Sequence, residues 1–179
     1  MPQEELMDMK TLLIFATQRE AAPTLKKQFK NCTSIITGMG PLPTFKAISQ
    51  QIQHYDRIVN AGICGTFDEK TAVGSIHTVS RLEYLPLKQH QGSLFPSLRI
   101  HPEGQTLYTS PVPVYESKRE TGLVDMEGYV LAHLALKHKK PIQMYKIVSD
   151  FCSKDSKEHI LKRIDALALT LSDYLETVL

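Results

Sequence analysis

Short continuous apolar runs, each followed by a segment of helical period, constrain this chain most. Thr11-Leu-Leu-Ile-Phe-Ala16 is one such run, Arg57-Ile-Val-Asn-Ala61 another, and Ile142-Gln-Met-Tyr-Lys-Ile-Val-Ser149 is the most buried in character. A strand without polar alternation must be covered on both faces. Residues 19–29 read as a helix with Ala22, Leu25 and Phe29 on one stripe and Pro23 in its first turn. Ser34-Ile-Ile-Thr37 reads as a second strand, ended by Gly38-Met-Gly40. Pro41 opens a helix whose inner face carries Phe45, Ile48 and Ile52.

Gly74-Ser-Ile-His-Thr-Val-Ser80 alternates like a half-buried strand, and Leu107-Tyr-Thr-Ser110 is a further strand before Pro111-Val-Pro-Val114. Residues 82–106 hold no period. A helix over about 126–139 has Asp125 as its N-cap and Met126, Tyr129, Val130, His133 and Leu134 inward. The last helix, about 156–178, carries Ile160, Ile164, Leu167, Leu171, Tyr174 and Val178 at helical spacing, with Asp155 and Glu158 as a capping box. This alternation predicts one α/β domain over residues 10–179 on a largely parallel or mixed sheet, after a loose leader at 1–9.

A formal charge of +2 with scattered lysines and arginines gives no case for nucleic acid or an anionic membrane. No apolar run reaches a membrane-spanning length, and the acidic start lacks the order of a secretory signal. Cys32, Cys64 and Cys152 show no CxxC spacing, which suits a reducing cytoplasm. The seven histidines form no metal-ligand cluster, so neither a metal nor a cofactor is expected.

Three acids fall near the ends of predicted strands or helices. Asp150 closes the 142–149 strand, where ligands of open α/β sheets bind; it either meets a substrate or caps the next segment. Glu20 follows the first strand, as an ordinary first-turn acid or as a group orienting a water. Glu127, beside Met126, either serves the helix N-terminus or accepts hydrogen bonds from a sugar. Gly62-Ile63-Cys64-Gly65 reads as a turn after the third strand, either plain punctuation or a place where backbone approaches a ligand.

Taken in order, Ala16-Thr-Gln-Arg-Glu20, Thr37-Gly-Met-Gly-Pro41, Asn60-Ala-Gly-Ile-Cys-Gly-Thr-Phe67, Val124-Asp-Met-Glu-Gly128 and Ile147-Val-Ser-Asp150 resemble the nucleoside phosphorylase/nucleosidase superfamily over roughly residues 11–178. The methylthioadenosine/S-adenosylhomocysteine nucleosidases and the futalosine hydrolases of an alternative menaquinone pathway look most similar. The resemblance implies a single-domain phosphorylase/hydrolase-like α/β fold, with a central mixed sheet flanked by helices, and a homodimer. It also implies hydrolysis of the base–ribose bond of a 5′-modified purine nucleoside. In that family the residue matching Asp150 protonates the departing purine at N7, that matching Glu20 positions the attacking water, and that matching Glu127 binds ribose hydroxyls while Met126 packs on the sugar. Ser149 and the backbone after Phe151 are candidate hydrogen-bonding neighbours of Asp150. Gly62, Ile63 and Val114 are candidate substrate contacts.

The chemistry asks for these groups. Breaking a ribosyl C–N bond leaves an oxocarbenium-like sugar and an anionic base, so a proton on the base removes a poor leaving group. An exposed aspartate, with a pKa of about 3.9, is ionised at neutral pH. The acid role therefore needs burial or a hydrogen bond that favours the neutral carboxyl. Phosphorylases of the superfamily hold phosphate with an arginine and a serine where Glu20 and Ile63 stand here, which favours water as nucleophile. Arg19, one residue away, keeps phosphorolysis as an alternative, and a non-catalytic nucleoside-binding protein is another. The family's Ser-x-Asp-x-Phe stretch corresponds to Ser110-Pro-Val-Pro-Val114, which lacks the aspartate and the aromatic ring. Tyr115, Phe151 and Phe67 are the candidate rings for the base.

Overall fold

Residues 9–85, 95–115 and 119–179 are described by the computed structural model. The leader, apart from Met9, and residues 86–94 of the unpatterned middle lie outside the described residues. The elements are β1 (Thr11–Phe15), α1 (Gln18–Leu25), β2 (Cys32–Ile36), α2 (Pro41–Ile48), a short 3-10 turn (Ile52–His54), β3 (Arg57–Thr66), β4 (Ile76–Tyr84), β5 (Leu98–Arg99), β6 (Gln105–Thr109), β7 (Leu123–Asp125), α3 (Gly128–Lys137), β8 (Ile142–Asp150) and α4 (Ser156–Val178).

All eight strands join one mixed sheet. β1 lies parallel between β2 and β3, and β8 lies parallel to β3 and antiparallel to β4. β4 runs parallel to β6, β6 parallel to β7, and β7 returns antiparallel to β3. The pairings therefore close a ring, β3–β8–β4–β6–β7–β3, which leaves the middle strands without open edges.

The continuous apolar runs do what their composition requires. Leu12, Ile14, Ile58, Met144 and Val148 face a core shared with Ile48, Leu131 and Ala135, on the side of α2 and α3. Leu13, Phe15, Val59, Tyr145 and Ile147 face a second core with Ala21, Leu167, Leu171 and Leu175, on the side of α1 and α4. Alternate residues thus serve opposite layers, as the period-2 geometry of strands demands.

Several local expectations are corrected. Gly62-Ile-Cys-Gly65 is no turn: β3 continues to Thr66, because it pairs with β8 through Gly65 and with β7 at Gly65 and Thr66. α1 buries Glu20, Ala21 and Thr24, while Leu25 is 45% exposed, and Pro23 sits in the second turn. In α2 Thr44 and Ile48 point inward and Phe45 outward, and Ile52 belongs to the separate 3-10 turn. α3 begins at Gly128, so Met126 and Glu127 precede it; His133 is exposed, and Leu131 and Ala132 take the buried arc.

Its N-cap is Glu127, yet Asp125 still accepts the Gly128 N–H from two residues further out. Asp155 makes no side-chain cap on α4; Ser153 N–H donates to Ser156 Oγ at 2.8 Å instead. The reciprocal capping box belongs to Thr17 and Glu20 on α1.

Candidate active site

Each of the three candidate acids is buried and held by named donors. Glu20 is 3% exposed. Its Oε2 accepts from Thr17 N–H (2.8 Å) and Thr17 Oγ1–H (2.7 Å), and its Oε1 accepts from Ile63 N–H at 2.9 Å. A carboxylate offers roughly four acceptor sites, so one stays available on Oε1. Gly62 makes this approach fit: a Cβ there would lie 3.0 Å from Glu20 Oε1 and 3.9 Å from Lys146 Nζ. Gly62 and Ile63 thus join the site through missing bulk and a backbone donor.

Glu127 Oε1 accepts Gly40 N–H at 2.6 Å. Gly40 holds φ +94, a conformation that side chains rarely adopt, and Met126 Cε packs about 4.0 Å from where its Cβ would be. Burial first, and then the negative charge of Asp125, pushes the Glu127 carboxyl up to about 7, against the opposing pull of Lys146 and the Gly40 N–H. Glu20 adds to the upward push.

Asp150 ends β8 at an irregularity: Val148 stands opposite Cys64 and Asp150 opposite Gly65, so Ser149 is the extra residue. Bulges of this kind re-aim side chains beside functional sites. Gly65 leaves the room, since a Cβ there would lie 2.6 Å from Cys152 Sγ and 3.4 Å from Asp150 Oδ2. Cys152, at φ +54, donates its N–H to Asp150 Oδ2 at 3.0 Å. The backbone after Phe151 is therefore a neighbour of the acid, as expected.

Ser149 Oγ lies 3.0 Å from the Cys64 carbonyl and 2.5 Å from Asp150 Oδ1. A hydroxyl has one proton. That proton goes to one of these two acceptors at a time. Beside Asp150, burial pushes the Cys152 thiol up to about 12.

A cavity of about 550 Å³ has Phe67, Asp68, Lys70, Arg119, Phe151 and Cys152 among its walls. Phe151 is 45% exposed, and Phe67 packs on Tyr108 with ring centroids 5.8 Å apart. Asp150, Glu20 and Glu127 are not among its walls, although Phe151 and Cys152, the two residues after Asp150, are. Val114 lies half-buried beyond Ser110, whose N–H bonds the carbonyl of Asp125 at 2.9 Å. Tyr115 is largely exposed.

One charged residue escaped the sequence reading. Lys146, in the middle of β8, is 2% exposed, and its Nζ lies 2.8 Å from Asp125 Oδ2. Burial opposes its charge, but Asp125 and Glu127 outweigh that and raise its pKa. A lysine between Tyr145 and Ile147 in an apolar strand was itself the signal, because such a charge is almost never buried without a partner. Arg19, the alternative phosphate ligand, turns away: its guanidinium pairs with Asp165 on α4 at 2.8 Å and is half exposed. Among the described residues no cluster of three or more metal-binding side chains occurs, and no helix is long and apolar enough to cross a membrane.

The fold is similar to that of solved nucleosidases, and the likeness extends over almost the whole chain. A methylthioadenosine nucleosidase variant of Chlamydia trachomatis, bound to methylthioadenosine, superposes with a TM-score of 0.81 at 21% identity, over 94% of this chain and 96% of that one. A Helicobacter pylori methylthioadenosine nucleosidase variant with 5′-methylthioadenosine in its active site gives 0.79 at 13% identity, over 96% and 98%. Futalosine hydrolase of Helicobacter pylori gives 0.82 at 12% identity, over 96% and 97%. No protein-family sequence model matches the chain, and no curated protein matches it in sequence.

Proposed function

We propose that the chain is a purine nucleoside N-ribosyl hydrolase acting on a 5′-modified nucleoside of the methylthioadenosine, adenosylhomocysteine or futalosine type. The observation that carries this reading is the pair of close approaches along β3, Glu20 Oε1 at Gly62 and Asp150 Oδ2 at Gly65, which brings two buried acids to the end of one strand. Ser149 Oγ and the Cys152 N–H fix the two Asp150 oxygens. Asp150 gives a proton to the purine as the C–N bond breaks. The base occupies the cavity at Phe151, with Phe67 as the second ring and Val114 at its margin.

Glu20 holds the attacking water at the open position on Oε1, beside Gly62 and the Ile63 N–H that fixes the carboxylate. Glu127, ionised, accepts the ribose hydroxyls and steadies the developing positive charge on the sugar, with Met126 against the sugar face. Water is the nucleophile, because Arg19 is committed to Asp165 and a buried Glu20 repels phosphate. Met39, Leu42 and Phe45 are all exposed along the Gly40 turn and α2, next to the Glu127 site. That apolar face supports a homodimer. The free thiols and the absence of any basic block support a cytoplasmic protein that binds no nucleic acid.

Purified protein is assayed for free base released from methylthioadenosine, adenosylhomocysteine and futalosine, with and without phosphate. Release from at least one of them without phosphate is expected. Turnover that requires phosphate and yields ribose-1-phosphate contradicts hydrolysis. Calorimetric binding with no turnover points instead to a nucleoside-binding module.

A further inference from the structure

We propose that Asp125 is a positioning residue: its carboxylate anchors the Lys146 ammonium and so leaves Glu127 free to receive substrate hydroxyls. This rests on the hydrolase reading above and assigns a role to two residues outside it. Asp125 is the most heavily bonded acid in the site. It accepts Thr109 Oγ1–H at 2.8 Å, Gly128 N–H at 2.9 and 3.1 Å on its two oxygens, and Lys146 Nζ at 2.8 Å. Those donors come from β6, α3 and β8, so three elements converge on one carboxylate fixed at the end of β7. Thr109 Oγ1 in turn accepts Tyr129 N–H at 2.8 Å, which ties the hydroxyl down.

The charges around this pair explain why the anchor matters. Lys146 feels Asp125 and Glu127, with the Cys64 thiol beside it. Glu127 is faced by Asp125 from β7, Lys146 from β8, Glu20 from α1 and the Gly40 N–H before α2. Among the described residues, Lys146 is the cation set against three buried acids, Asp125, Glu127 and Glu20, so it goes to whichever carboxylate is best prepared to hold it. Asp125 already has its geometry set by Thr109 and Gly128. With that charge removed, the ammonium turns to Glu127, which then competes poorly for ribose hydroxyls. Loss of a nearby negative charge also lowers the proton affinity of Glu127.

The test compares wild type with Asp125→Asn, an isosteric change. kcat and KM for base release are measured from pH 5 to 9, alongside a carbon NMR titration of Glu127 assigned through Glu127→Gln. Asp125→Asn is expected to raise KM about tenfold and to move both the acid limb of activity and the Glu127 titration down by about one pH unit. A merely structural role lowers the rate evenly across pH and leaves both in place, which overturns the proposal. A wild type that releases no base sinks the hydrolase reading alone, because the carbon titration still decides the role of Asp125. Should Asp125→Asn not fold, Asp125→Glu keeps the charge on a longer arm. It is expected to hold the acid limb while raising KM about threefold; an unchanged KM overturns the proposal.

Discussion

Lys146 Nζ lies 2.8 Å from Asp125 Oδ2, and both side chains are sealed from solvent at 2% and 1% exposure. A buried pair is poor evidence for added stability, since two charges had to leave water to form it. Removing one partner is another matter, because it strands an uncompensated charge. Lys146→Met leaves Asp125, Glu127 and Glu20 without their cation and is expected to cost about 3–5 kcal/mol of folding stability. Urea unfolding at pH 7 measures it; a loss below about 1 kcal/mol, within the range of an exposed pair, contradicts this placement of the charge.

Glu127 links pH to both stability and activity. Its folded-state carboxyl titrates near 7, above the ordinary 4.5, chiefly through burial. Between those values the folded protein binds a proton that the unfolded chain has released, so stability falls as pH rises through that window and levels off above it. The effect is on the order of 3 kcal/mol at most. Glu127→Gln removes this dependence, and thermal unfolding at pH 5 and pH 8 is expected to show a larger gain at pH 8. Hydroxyl binding needs the ionised form, so wild-type kcat/KM drops as pH falls below about 7. A flat profile from pH 5 to 8 speaks against Glu127 as the hydroxyl acceptor.

Gly62 tests the Glu20 geometry with little disturbance to the fold. An alanine there places its Cβ 3.0 Å from Glu20 Oε1, tight enough to push the carboxylate off the Ile63 N–H. Misplacing a positioning group by a fraction of an ångström to an ångström costs about 10- to 100-fold in rate. Gly62→Ala is expected to lose that much in kcat while unfolding within about 1–2 kcal/mol of wild type. Unchanged kcat removes Glu20 from the water's path.

Ser149→Ala removes the one hydroxyl shared between the Cys64 carbonyl and Asp150. Leaving that buried carbonyl short of a donor costs about 1–3 kcal/mol. Base release is expected to fall about tenfold, because Oδ1 of the proposed acid loses the hydroxyl that fixes it. An unchanged rate contradicts this reading.

Much of this arrangement is legible in the sequence. Runs such as Thr11–Ala16 and Ile142–Ser149 carry apolar residues on both faces, and only a strand between two layers accommodates that. Glu20, Glu127 and Asp150 lie where strands or helices begin or end, and the element order alone places them there. The course of β3 past Ala61 does not follow from that order, because Gly62 and Gly65 carry the local signature of a turn. Their use is long-range: each makes room for a side chain from another element, Glu20 and Cys152.

β7 is three residues long and has no period to detect. The Lys146–Asp125 pair spans 21 positions and depends on strand pairing that no local pattern encodes. The inner faces of α1 and α2 were misjudged for a related reason. Thr24 and Thr44 are fully buried, while Leu25 and Phe45 face outward, so polarity alone misled. Thr44 satisfies its hydroxyl on the Gly40 carbonyl at 2.9 Å, which removes the cost of burying it.

The proton carried by Asp150 is tested most directly by a substrate that does not need it. A purine nucleoside methylated at N7 already bears a positive charge on its base, so that base departs without protonation. Rates of base release are compared for wild type and Asp150→Asn on the plain and the N7-methylated nucleoside. The variant is expected to lose about 100- to 10,000-fold on the plain substrate and only a small fraction of that on the methylated one. Equal losses on both substrates would show that Asp150 does not deliver the proton.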